Sequence, residues 1–218
     1  MENGFKQKLK TGLYDLFVFP LYILTHPVKG FEELKYEKKG KIYVAIVYFI
    51  LMIVATILVQ TTSGFLISPL KDLDFNIFKT ALLVIVPIVL AVIGNWSVTS
   101  LLDGKGKIKE IFMVICYGLI PYILLIIPLT FLSNYLTLDE VTFYNTFVGI
   151  AVFLAAYMIF MGLLVIHEYG LGKTILTIIF TVVAIAVIVF IGILFMTLIQ
   201  RAYDFVCSVY QEIILRIS

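Results

Sequence analysis

Residues 174–199 read TILTIIFTVVAIAVIVFIGILFMTLI, without one charged residue, amide, histidine or proline. A bilayer core is crossed by about 20 apolar residues in a helix, so this stretch is long enough to span. Four more segments meet the same criterion: Ile42 to Gln60, Phe78 to Leu102, Ile111 to Leu132 and Phe147 to Ile166. None has Asp, Glu, Lys or Arg in its interior. The expected fold is all-α, an integral membrane helical bundle with about five transmembrane helices.

Composition agrees. The 218 residues are 62% hydrophobic and 14% charged, against roughly half and a quarter in soluble domains. Mean hydropathy is +1.10. Net charge is only +2, and the lysines cluster at helix ends, so no nucleic-acid partner is expected. Cys116 and Cys207 lack the spacing of a zinc, haem or redox site and read as core thiols. No cofactor is expected. No small-residue cleavage site follows the first apolar stretch, so no removable signal peptide is expected.

The lysines orient the chain. Lys6, Lys8, Lys10, Lys29, Lys35, Lys38, Lys39 and Lys41 precede the first span. Lys105, Lys107 and Lys109 lie between spans two and three, and Lys173 between four and five. The other side has Lys71, Lys79, Arg201 and Arg216, so twelve basic residues face four. The positive-inside rule places the N-terminus in the cytoplasm and the C-terminus outside. The chain is expected to cross the membrane several times.

Three regions follow: a juxtamembrane segment 1–41, a membrane domain 42–199 and an extracytoplasmic tail 200–218. In the first, Phe5, Leu9, Leu13, Leu16 and Phe17 fall at helical spacing, which predicts an interfacial amphipathic helix broken at Pro20. Pro27 can open a second helix. In the tail, Val206, Val209, Tyr210, Ile213 and Ile217 make an apolar stripe, which predicts a second interfacial amphipathic helix.

Catalytic motifs fail one by one. Leu171-Gly172-Lys173-Thr174 resembles the end of a phosphate loop, but His167 stands where the first glycine belongs. His167-Glu168 begins like a zinc-protease helix, but Leu171 replaces the second histidine. Glu32-Glu33 lies in a charged segment without partner histidines. Hydrolysis needs an activated nucleophile or water, and nothing in the sequence supplies one; the chain is not expected to be an enzyme.

The candidate interaction or cavity residues are Asn95, Trp96, Thr99 and Asp103, leaving the second span, and Tyr117, Gly118 and Pro121 in the third. Such polar groups line transport paths, and they also join helices. Packing is favoured, because coupled transport usually places a carboxylate at depth and these spans have none. The cytoplasmic loops repeat a pattern: Gly104-Lys105-Gly106-Lys107 follows span two, and Gly170-Leu171-Gly172-Lys173 follows span four. A parallel internal repeat and a shared taste of tight cytoplasmic loops for glycine and lysine both explain it.

Four stretches together carry a family resemblance: His26-Pro27-Val28-Lys29-Gly30-Phe31-Glu32-Glu33-Leu34, Asn95-Trp96-Ser97-Val98-Thr99-Ser100-Leu101-Leu102-Asp103-Gly104, Tyr117-Gly118-Leu119-Ile120-Pro121-Tyr122 and Tyr169-Gly170-Leu171-Gly172-Lys173-Thr174. On these the chain resembles the bacterial branch of the Yip-domain family, whose eukaryotic members interact with Rab-type GTPases. The resemblance implies a bacterial cell membrane, five spans, a cytoplasmic N-terminus and a non-enzymatic role in membrane organisation or trafficking. Eukaryotic members carry Asp-Leu-Tyr-Gly-Pro; Asp15-Leu16-Phe17-Val18-Phe19-Pro20 echoes it without the glycine. Bacterial relatives resemble proteins encoded beside carbohydrate ABC importers, which implies an accessory role there.

The expected function is thus a partner or scaffold in a membrane assembly, contacting the lipid bilayer and a membrane-protein partner or a second copy. The rival is a small permease or lipid-handling protein with a cavity bounded by Asn95, Trp96 and Tyr117.

Overall fold

The computed structural model describes residues 12–67 and 75–217. Phe5, Leu9, Lys6, Lys8, Lys10 and Lys71 lie outside them. Among the described residues every regular element is helical: α1 Tyr14–Thr25, α2 Pro27–Lys35, α3 Ile42–Thr62, α4 Ile77–Leu101, α5 Ile108–Gly118, α6 Ile120–Leu132, α7 Val141–His167 and α8 Leu171–Ile217. Five apolar stretches are long enough to span a membrane, with α5 and α6 together forming the third.

Local chemistry sets the ends. Asn76 caps α4, its Oδ1 accepting from Phe78 N–H at 2.8 Å and Lys79 N–H at 3.3 Å, the usual service of an N-cap amide. Glu110 in the first turn of α5 accepts from Lys107 N–H at 3.0 Å. The helices α4 and α7 finish alike. Asp103 and Glu168 adopt left-handed φ of 57° and 56°. The next amides, Gly104 and Tyr169, then bond back to Thr99 O and Leu164 O. That six-to-one closure satisfies carbonyls the helix leaves open.

Prolines act differently from place to place. At Pro121 the third span does break, into α5 and α6 at Leu119, with Pro121 in the first turn of α6 where no donor is needed. Pro87 and Pro128 sit inside unbroken helices. Pro20 does not break α1 as predicted. Tyr14–Val18 takes the wider π register, with Phe19 N–H bonded to Tyr14 O, and a wider turn has room for the proline ring. The break comes instead at His26, before Pro27 opens α2.

The third span is the centre of the bundle. Both α3 and α7 pack on α5 and α6, α4 packs on α3 and α5, and α8 packs chiefly on α4. The segments α1 and α2 are more than interfacial. Tyr14, Phe17 and Leu21 do face outward, but Phe19, Ile23, Phe31 and Leu34 are fully buried in the common core with Val114 and Tyr117. A Cβ on Gly162 of α7 would overlap Val114, with Phe31 at 3.1 Å. The missing side chain is what lets α2 and α5 seat against α7.

The tail also differs from its expectation. There is no break at residue 199 or 200; α8 runs on for 47 residues, roughly 70 Å at 1.5 Å per residue. Helix propensity continues across Arg201-Ala202-Tyr203, and no glycine or proline follows Gly192 before the helix ends at Ile217.

Candidate functional site

The polar residues gather at one end of the bundle, around His167. This side chain ends α7 and is 2% exposed. Its Nδ1 accepts from Gly106 N–H at 3.3 Å, which leaves the proton on Nε2. That nitrogen donates to Asn95 Oδ1 at 3.0 Å. Asn95 Nδ2 donates to Thr181 Oγ1 on α8 at 3.3 Å. One imidazole therefore ties α7 to α4 and to the 103–107 loop, and the amide extends the tie to α8. The ring also stacks on Tyr169, centroids 5.4 Å apart, and Tyr169 Oη donates to Leu102 O at 2.9 Å.

Glu168 makes a second layer outside the first. Lys105 Nζ and Lys35 Nζ pair with its carboxylate at 2.5 Å and 2.8 Å, and Tyr36 Oη donates to it at 2.5 Å. Lys35 also donates to Ile166 O at 2.9 Å. The three donors come from α2, the residue after it, and the 103–107 loop. The hydrogen bond from Lys105 is the largest cause, followed by those from Lys35 and Tyr36, in holding the Glu168 carboxyl down at about 2. The Lys105 ammonium is raised in return, first by its hydrogen bond to Glu168.

The glycine-lysine loops are not equivalent. A Cβ at Gly104 would lie 2.7 Å from Thr99 Cβ and Tyr169 Oη; one at Gly106 would lie 2.6 Å from the His167 ring. At Gly170 and Gly172 a Cβ would meet nothing within 4 Å. The first loop is thus a lid pressed on the imidazole, whereas the second lies in the open. Lys107 is exposed at the start of α5. Lys173 is exposed too, its Nζ 4.3 Å from the Tyr169 ring centre.

The other candidates scatter. Asn95 and Thr99 are buried in the clasp. Trp96 is 42% exposed on the outer face of α4. Asp103 is exposed and contributes its left-handed turn. Tyr117 is buried elsewhere, its ring against Phe19 and Tyr48 and its Oη accepting from Lys41 N–H at 3.4 Å. Gly118 lies against Ile159 of α7, and Pro121 is buried at the third-span break. Asn95, Trp96 and Tyr117 therefore do not bound one cavity. A groove of about 630 Å³ does run between α4, α7 and α8, with Asn95 in its wall.

Sequence reasoning missed His167, Glu168, Lys35 and Tyr36. Glu168 and Lys35 stand 133 positions apart, and no periodicity connects them. The available signal was a His-Glu pair at a span end facing two glycines in a neighbouring loop. Among the described residues no three His, Cys, Asp or Glu side chains are placed to hold a metal.

Nothing among curated proteins or solved structures matches the chain. The Yip1 domain model matches residues 21–194, a range that includes the whole clasp and all but the far part of α8. With most of its length matched, and with five apolar helices long enough to span, the chain belongs to the Yip1-domain family of membrane proteins.

Proposed function

We propose that the protein is a non-enzymatic scaffold within a membrane assembly, working by contact with a membrane-protein partner or a second copy. One observation carries this reading. Within α8 only 6% of the most apolar span window is buried, against 56% for the third span. From Val189 to Ile214 every residue except Cys207 is exposed. Lipid can cover the first part, but about 30 Å of hydrocarbon cannot cover roughly 70 Å of helix. Met196, Ile199, Tyr203, Val206, Tyr210 and Ile213 recur at three- and four-residue steps on one exposed stripe. That spacing is the seam by which helices pair.

The clasp supports the same reading. Most of its polar groups are spent on one another: among the described residues every buried side-chain nitrogen or oxygen has at least one partner. They hold helices, and they leave no activated nucleophile. The lysine asymmetry supports a cytoplasmic clasp and N-terminus, and the resemblance to the bacterial branch of the family supports a bacterial cell membrane. Exposed Lys107 and Lys173 then face anionic lipid or acidic partners.

The test is purification from the native membrane in mild detergent after crosslinking. A second protein or a second copy should crosslink through residues 189–214. An ABC importer subunit as that protein would match the accessory role that the resemblance implies. Recovery only as a lone, uncrosslinked monomer overturns the proposal.

A further inference from the structure

Helices α7 and α8 are consecutive and joined by residues 168–170 alone, yet below the turn they scarcely meet. Helix α8 lies on α4, and α7 lies on α5 and α6. The wedge between them is the groove of about 630 Å³, walled by Ala91, Asn95, Ala156, Tyr157, Phe160 and Val182 among others. Small side chains on α4 and α7 give it width. Its size is ordinary for a small-molecule site, about 300–1,000 Å³.

The groove lies within the membrane-spanning part of all three helices. An empty apolar cleft there forfeits dispersion contacts along its walls, and water has too few polar partners to fill it. A transmembrane helix is too bulky. At roughly 10 Å across, one turn occupies about 420 Å³, so the groove would take only a turn and a half. A single methylene chain fits.

Asn95 adds a head-end contact. It is 2% exposed and lines the groove. Its amide has two N–H donors; one goes to Thr181, and the other has no protein partner among the described residues. Asn95 stands six residues from the end of α4, roughly 9 Å along the helix. That depth is near the head end of an acyl chain.

We propose that this groove holds one acyl chain of a bilayer phospholipid, its ester carbonyl accepting a hydrogen bond from Asn95 Nδ2. The site stands apart from the seam on α8, because its walls are the upper half of that helix and the facing sides of α4 and α7.

The experiment uses the full chain in phosphatidylcholine vesicles doped with a diazirine-acyl phosphatidylcholine. After photolysis, labelled peptides are read by mass spectrometry. Label at Phe153, Tyr157 and Val182 should exceed label at Ile46 and Ile50, on the exposed face of α3, by about tenfold, the ratio that 1.4 kcal/mol of preference gives. Both Ala156→Phe and Ala91→Leu, which fill the groove from opposite walls, should bring it down to the level of the open faces. Protection of the buried Cys116 thiol checks that each variant is folded. Even labelling of groove and open faces overturns the proposal, and so does protein–protein crosslinking at the groove residues. An ether-linked competitor should displace the label less well than its ester counterpart; equal competition removes the Asn95 contact. A lone monomer, which sinks the scaffold reading, leaves this labelling unchanged.

Discussion

Replacing His167 by alanine tests the clasp at its centre. The substitution strips the partner from two buried groups, Asn95 Oδ1 and Gly106 N–H. It also removes the ring on which Tyr169 stacks and the 103–107 loop rests. A buried polar group left without a partner costs about 1–3 kcal/mol, while single interhelical hydrogen bonds within membranes average nearer about 0.6 kcal/mol. Two orphaned groups and a lost ring therefore amount to about 2–4 kcal/mol, the lower end applying if water enters the vacated space. At roughly 2–4 °C per kcal/mol for a chain of this size, the midpoint should fall by about 4–16 °C. The chain carries its own reporter, since Cys116 is fully buried. In a Cys207→Ser background, a fluorogenic thiol dye in detergent reads unfolding from that one site. Leu82→Ala, on an open face, is the control and should stay within about 0.5 kcal/mol of the parent. If His167→Ala melts with the control, the hydrogen bonds around the imidazole do not hold the helices, and the clasp reasoning is wrong.

The same dye assay separates the two glycine loops. Gly104→Ala and Gly106→Ala should both lower the midpoint, because the new methyl meets Tyr169 or the His167 ring at under 3 Å. Gly172→Ala, in open space inside the first turn of α8, should be neutral or raise it slightly, since alanine is the better helix former by about 1 kcal/mol. A loss at Gly172 as large as at Gly106 would refute the assignment. Glu168 gives a pH signature. Its carboxyl, ordinarily at 4.5, is held at about 2 in the folded chain, so its contribution is full above pH 4.5 and fades as pH falls toward 2. Glu168→Gln should flatten the midpoint-against-pH curve in that window and lower it at neutral pH. An unchanged slope would show that Lys105, Lys35 and Tyr36 do not grip the carboxylate in solution.

Much of the fold was legible because a bilayer imposes a simple rule. Every backbone group at depth must be satisfied within its own helix, so each long apolar run becomes a helix whatever its neighbours do. The run 174–199 alone carried that inference, and Pro27 marked a helix start through purely local chemistry. Local rules were weaker where register or packing intervened. Pro20 looked like a breaker, but a π turn ahead of it absorbs the ring. Phe31 and Leu34 lay in a charged juxtamembrane segment with nothing local to mark them as core; only the packing of α2 on α7, with Phe31 beside Gly162, buries them.

The clasp was the least legible part. Asn95, Thr99 and Gly106 were singled out from their own neighbourhoods, but nothing local says that His167 and Glu168 join them. Two alike Gly-x-Gly-Lys loops gave no hint that one presses on an imidazole and the other on nothing. The sequence by itself determined what the helices are, because apolar length and capping chemistry act within a few turns of chain. Only the tertiary structure decided which helices meet. It brought Lys35, Lys105 and Glu168 to one point, and it parted α7 from α8 to leave a groove. Contacts between residues more than a hundred positions apart are set by the packing of the whole bundle, and no short window of sequence contains that information.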